Sequence, residues 1–78
     1  MQLRNITGKQ IRKFRKGMNL TQDELSAKLM VLGINIDRPM VSKIENQTRE
    51  ITDIELKCIA HVLGVTVNCL FDEKGEKQ

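Results

Sequence analysis

Tryptophan and tyrosine are absent from this 78-residue chain, and phenylalanine occurs only at positions 14 and 71. Proteins that grip single strands stack the bases on aromatic rings, so the chain lacks the platform that many RNA and single-strand binders use. Cysteine is scarce too. Cys58 and Cys69, with His61 as the one histidine, fall short of the four ligands of a structural zinc site. Free, partly buried thiols in a reducing compartment are the expectation, and a disulfide between the two stays open. No apolar run approaches the roughly 20 residues of a membrane span, and the N-terminus lacks the apolar stretch of a signal peptide. The composition therefore reads as cytoplasmic, with no metal or other cofactor and no membrane.

What is present is a small aliphatic core and an uneven charge. The length makes one domain, and nearly every Ile, Leu, Val and Met must serve its core. The net charge is +3, but residues 1–20 carry Arg4, Lys9, Arg12, Lys13, Arg15 and Lys16 with no acid among them. Such a segment is either an electrostatic footprint for a polyanion or a solvated helix face, and charge alone does not separate the two.

Caps and glycine stops divide the chain into five short helices and no strand. Thr7 with Gln10 fits a capping box that starts a helix over 8–16, with Gly17 as its stop. Thr21 caps a second over 22–32, with Asp23 and Glu24 in its first turn and Leu25, Leu29 and Leu32 at helical spacing before Gly33. Residues 34–36, INI, read as a turn whose isoleucines tuck inward. Asp37 caps a third helix over 38–46, and Pro39 is tolerable only in its first turn. Thr52 and Glu55 form another capping box, followed by Leu56, Ile59, Ala60 and Leu63 on one face and Gly64 as the stop. Thr66 caps a last short helix, with Val67, Leu70 and Phe71 expected to pack inward. The expected division is an N-terminal arm over 1–6, the all-α domain over 7–71 and a polar tail over 72–78.

The third helix has the pattern of a reader. Val41 and Ile44 point inward, which leaves Arg38, Pro39, Ser42 and Lys43 on the other side. A short amphipathic helix of this kind suits the DNA major groove, which admits one helix. Arg38 stands at the N-terminal end, where an arginine can bond guanine O6 and N7 together. Lys43 can reach a further base edge or a phosphate, Ser42 can donate or accept, and Pro39 offers van der Waals contact. Gln22 opens helix two, where its amide and the free backbone N–H groups can face a phosphate. Asn46, Thr48 and Arg49 follow helix three, where a loop can grip the opposite backbone. Taken singly, each of these flanking residues is more readily explained as a solvated polar side chain; together, their spacing puts them on both flanks of one helix.

The strings TQDELSAKL (21–29), VSKIEN (41–46) and ELKCIAHVLGVTVNCLF (55–71) resemble the helix-turn-helix domain of phage repressors, Cro proteins and their bacterial XRE-type relatives. The resemblance spans roughly residues 7–71. It implies a five-helix, lambda-repressor-like fold and sequence-specific binding of double-stranded DNA, commonly as a two-fold homodimer. Carried over by position, it makes Gln22 the phosphate-clamping glutamine and Arg38, Pro39, Ser42 and Lys43 the base-facing residues. Asn46 and Arg49 fall on backbone-contact positions, and Arg15 and Glu45 on a pair bridging helices one and three. Three departures stand out: the connection from Leu29 to Ser42 is longer than the family's tight turn, Gln47 replaces a usual glycine, and Pro39 fills a position that often bonds.

The leading expectation is a transcriptional repressor, with dimer contacts from Val65, Val67 and Leu70 near helix five, although ordinary core suits Leu70 better. The alternative is a protein-interaction module of the same fold, an antitoxin or anti-repressor that grips a protein partner. An enzyme is the third class. Cys58 and His61 lie three apart on one helix, but no orienting acid accompanies them and the domain offers little room for a pocket.

Overall fold

The computed structural model describes residues 2–72, and these form five helices and no strand. In order they are α1 (Gly8–Gly17), α2 (Gln22–Val31), α3 (Arg38–Glu45), α4 (Asp53–Leu63) and α5 (Val67–Phe71). The polar tail expected from residue 72 lies outside the described residues, apart from Asp72. The core is Ile11 of α1, Leu25 and Leu29 of α2, Ile36 of the connection, Val41 and Ile44 of α3, Ile59, Ala60 and Leu63 of α4, and Leu70 of α5. α1 packs on α3, α4 and α5, and α2 packs on α3 and α4.

Local chemistry explains where each helix begins. Thr21 and Thr52 each take an extended backbone, accept from the N–H of Glu24 and Glu55, and receive the glutamate carboxylate on their own N–H. Asp37 accepts from the Met40 N–H at 3.0 Å, with Pro39 in the first turn of α3. Thr66 accepts from Cys69 N–H at 3.3 Å. These groups satisfy donors that a helix start leaves unpaired.

α1 departs from expectation at both ends. Thr7 is buried and helical in backbone (φ −98°, ψ −9°), and its side chain makes no cap. A hydroxyl caps from an extended backbone, so the Thr7–Gln10 box does not form. Asn5 takes the role instead, its Oδ1 accepting from Gly8 N–H at 2.7 Å. Gln10 points the other way, and its Nε2 donates to the carbonyl of Asp72. At the far end Gly17 stays in the helix. Asn19 is the left-handed residue (φ 59°), and Leu20 N–H closes onto Arg15 O at 3.1 Å.

The connection from α2 to α3 is long but anchored. Gly33 turns left-handed (φ 84°), Ile34 N–H returns to Leu29 O at 2.9 Å, and Ser26 Oγ donates to Ile36 O at 2.7 Å. Ile36 is fully buried, so the extra residues reach inward and do not loop away. The apolar spacing overreached at two places. Leu32 lies just past the last turn of α2 and is 43% exposed, and Phe71 is 46% exposed. α5 has five residues, and Leu70 alone reaches the buried core from it.

α1 comes unusually close to the end of α3. A Cβ on Gly8 would lie 2.1 Å from the carbonyl oxygen of Ile44, a backbone atom that cannot swing aside. Gly8→Ala is therefore expected to cost about 1–3 kcal/mol, as overpacking does. Urea denaturation would measure the loss, and unchanged stability would mean that the contact relaxes freely.

Candidate nucleic-acid interface

The exposed side of α3 is what remains once Val41 and Ile44 are spent on the core. Arg38, Pro39 and Lys43 are exposed and Ser42 is half-buried. Residues 38, 39, 42 and 43 recur at one helical turn, so they form a single stripe. Arg38 and Lys43 are about 7.5 Å apart along the axis, roughly two base steps of duplex.

Two clamps fix the C-terminal end of this helix. In the first, Arg15 forks onto Glu45, with Nε to Oε2 at 2.6 Å and Nη2 to Oε1 at 3.0 Å. The two side chains are only 8% and 2% exposed. Arg15 Nη1 also donates to Leu20 O at 2.7 Å, and Gln22 Nε2 donates to Glu45 Oε1 at 3.1 Å. One buried carboxylate thus ties α1, the start of α2 and α3 together. In the second clamp, Asn5 Nδ2 donates to Ile44 O at 3.1 Å and to Arg49 O at 2.8 Å. Arg4 N–H donates to Gln47 O at 3.0 Å, and Gln47 Nε2 returns to Asn5 O at 3.3 Å.

Between the clamps, α3 closes with a left-handed residue. Gln47 has φ 65°, Thr48 N–H reaches Lys43 O at 2.9 Å, and Gln47 N–H reaches Ile44 O at 3.0 Å. This pair of bonds usually employs glycine, which avoids the strain of a Cβ at positive φ. Gln47 carries that strain, and its buried amide bonds the N-terminal strap in return.

The residues expected to meet phosphates are placed unequally. Gln22 is half-buried, and one of its amide hydrogens is spent on Glu45. Asn46 is exposed in a surface groove lined on its other side by Lys9, Arg12, Lys13 and Lys16 of α1. Thr48 is exposed, with its hydroxyl on Lys43 O at 3.2 Å. It shares a second groove with Arg4, Lys43 and Arg49. The guanidinium of Arg49 is engaged by Glu55, Nη1 to Oε1 and Nη2 to Oε2 both at 3.1 Å. The exposed stripe of α3 is thus flanked by a groove on each side. The α1 lysines and Arg12 entered the sequence reading only as charge, because nothing in their spacing tells that they border Asn46. Asn5 was missed altogether. Its signal was an Asn placed where the chain enters a helix, the residue type that most readily bonds local backbone.

The bond from Arg49 holds the Glu55 carboxyl below its ordinary value of 4.5, against the opposing effect of burial. Arg4 and Glu50 pair at 2.6 Å on the open surface, where such a pair contributes little.

A sequence model of the helix-turn-helix family matches residues 11–68, and the chain belongs to that family. It is a DNA-binding regulator of the XRE type. Among solved structures it is similar to the clp gene regulator ClgR from Corynebacterium glutamicum, at 24% identity and a TM-score of 0.76 over 90% of this chain and 69% of that one. It is also similar to SinR, the master regulator for biofilm formation, in a complex with DNA, at 27% identity and a TM-score of 0.72 over 85% and 98%. A third likeness is the P22 c2 repressor protein with a synthetic operator, at 21% identity and a TM-score of 0.73 over 92% and 98%. At their identities, ClgR and the c2 repressor bear on the fold alone. The search of curated proteins found no match.

Two stability measurements follow. Glu45→Ala would strand the buried Arg15 charge, at an expected cost of about 3–5 kcal/mol. A mild loss in chemical denaturation would mean that water reaches the guanidinium. A carboxylate whose folded pKa is depressed stabilises fully above its unfolded pKa and loses that contribution as pH falls through the folded one. The stability gap between the parent chain and Glu55→Gln should therefore be widest near neutral pH and narrow below the ordinary value of 4.5. A gap independent of pH would deny the Arg49 pairing.

Proposed function

We propose that this chain is a repressor that reads duplex DNA through the major groove with α3 and binds a partly palindromic operator as a homodimer. The observation that carries the reading is the stripe of Arg38, Pro39, Ser42 and Lys43, clamped at its C-terminal end and flanked by a basic groove against α1 and a mixed one in which Glu50 and Glu55 pair with Arg4 and Arg49. Arg38 forks onto a guanine edge, Lys43 takes a second base edge or a phosphate, and Pro39 and Ser42 shape the contact between them. Gln22 gives its second amide hydrogen to one phosphate, oriented by Glu45. Asn46, Thr48 and Arg49 face the phosphates of the opposite strand, with Glu55 holding Arg49 in place. Lys9, Arg12, Lys13 and Lys16 add long-range attraction.

The DNA complex of SinR supports this reading. Leu70 is core and takes no part in a dimer contact; the half-buried Val65 and Val67 lie at the edge of the core and serve that contact. No helix among the described residues is long and apolar enough to cross a membrane, which accords with a cytoplasmic regulator. We assign Cys58 and His61 no catalytic role. Family membership and the exposed reading stripe both favour DNA over the interaction-module alternative.

Selection of bound duplexes from a random pool tests the proposal. An enriched palindrome is expected, and its half-site spacing would report the dimer. On that duplex Arg38→Ala should cost about 1–3 kcal/mol and relax one base position, whereas Lys16→Ala should lower the salt slope by about one without changing specificity. Absence of any enriched sequence would sink the proposal.

A further inference from the structure

The C-terminal end of α2 and the outer side of α4 leave apolar surface uncovered. Val31 is 85% exposed, Leu32 43% and Ile54 65%. They border two adjoining hollows that share Leu32 and His61, with Val62 in one and Cys58 in the other. None of these residues belongs to the α3 stripe, to either groove beside it or to the clamps. A lone exposed aliphatic residue is ordinary, but a group joined through common hollows marks a contact surface.

The charge around the hollows is of one sign. The ionic side chains that line them are Lys28 on α2 and Lys57 on α4, and His61 adds an imidazole. No acid lines either hollow among the described residues. Glu24 and Asp53 stand one turn before the two lysines and are committed to helix starts, Glu24 on Thr21 N–H and Asp53 on Ile54 N–H. A second copy of this chain fits poorly. A two-fold contact would bring the same patch against itself, with lysine facing lysine and no acid to answer.

We propose that this surface docks an acidic amphipathic helix of another protein. Its apolar face would lie along Leu32 and Ile54, and its flanking carboxylates would meet Lys28 and Lys57. Apolar anchors seated in a groove with charges at the rim are the usual economy of helix recognition. The site is separate from the DNA-reading face, and Leu32 stands at the head of the connection that carries Asp37, the cap of α3.

The test is a methyl-labelled NMR titration of the full chain with a synthetic helical peptide carrying leucines at one-turn spacing and glutamates on both flanks. A second peptide carries lysines in place of the glutamates. The expected result is movement of the Val31, Leu32, Ile54 and Val62 signals with the acidic peptide only. The Lys28→Glu, Lys57→Glu double variant should weaken that binding by about tenfold or more and accept the basic peptide instead. Both substitutions are on exposed positions, and the unchanged signals of core methyls would show that the fold is intact. Three results would overturn the proposal: movement confined to α1 and α3, equal response to both peptides, or movement with protein concentration alone, which would assign the surface to a second copy. None depends on DNA binding, so this proposal can fail while the repressor reading stands.

Discussion

The buried pairing of Arg15 with Glu45 sets where α3 stands against α1 and the start of α2. Two charges taken from water are expensive, and they are tolerated here because each side-chain nitrogen of Arg15 and each carboxylate oxygen of Glu45 has a partner. Arg15 spends three nitrogens on Glu45 and the Leu20 carbonyl, and Glu45 accepts from Gln22 as well. An apolar pair would pack as well but would leave rotation and sliding about the contact cheap. A forked ion pair fixes both, so the angle of α3 relative to α1 is set by directional bonds as well as by shape.

The exposed face of α3 depends on that angle through a short chain of cause. Val41 and Ile44 choose which side of α3 is buried, and the side left over is the stripe beginning at Arg38. The clamp then decides where this stripe stands relative to the lysines of α1. Gln22 links the two levels, since the carboxylate that holds the helix also holds the amide at the start of α2. Glu55 does the same for Arg49, with one side chain both capping α4 and fixing a guanidinium.

Much of this was legible in the residues because it is local. Thr21, Asp37, Thr52 and Thr66 cap as their spacing with the following residues dictates, and Gly33 and Gly64 supply the left-handed turns. Pro39 fixed the start of α3, and the inward set of Val41 and Ile44 followed from the helical period. The errors arose where distant contacts overrode a local pattern. Thr7 looked like a cap, but Asn5 holds Gly8 while also reaching α3, which no local rule reveals. Phe71 looked like core, but a five-residue helix presents too little surface to bury it. Gln47 was recognisable as out of place at a glycine position. That its amide meets the N-terminal strap was not, because the partner lies 42 residues away in sequence. Arg49 showed its charge, and only the folded loop reveals its bond to Glu55.

The two clamps on α3 share one more property. Asn5 reaches Ile44 across 39 residues of chain, and Arg15 reaches Glu45 across 30. Closing such a span costs entropy that grows only slowly with its length, and most of that cost is incurred once. After either clamp has closed, the other finds its partner already nearby. The two closures are therefore coupled, each lowering the entropic cost of the other at the end of α3. Loss of one clamp, conversely, returns the full cost of closure to the one that remains.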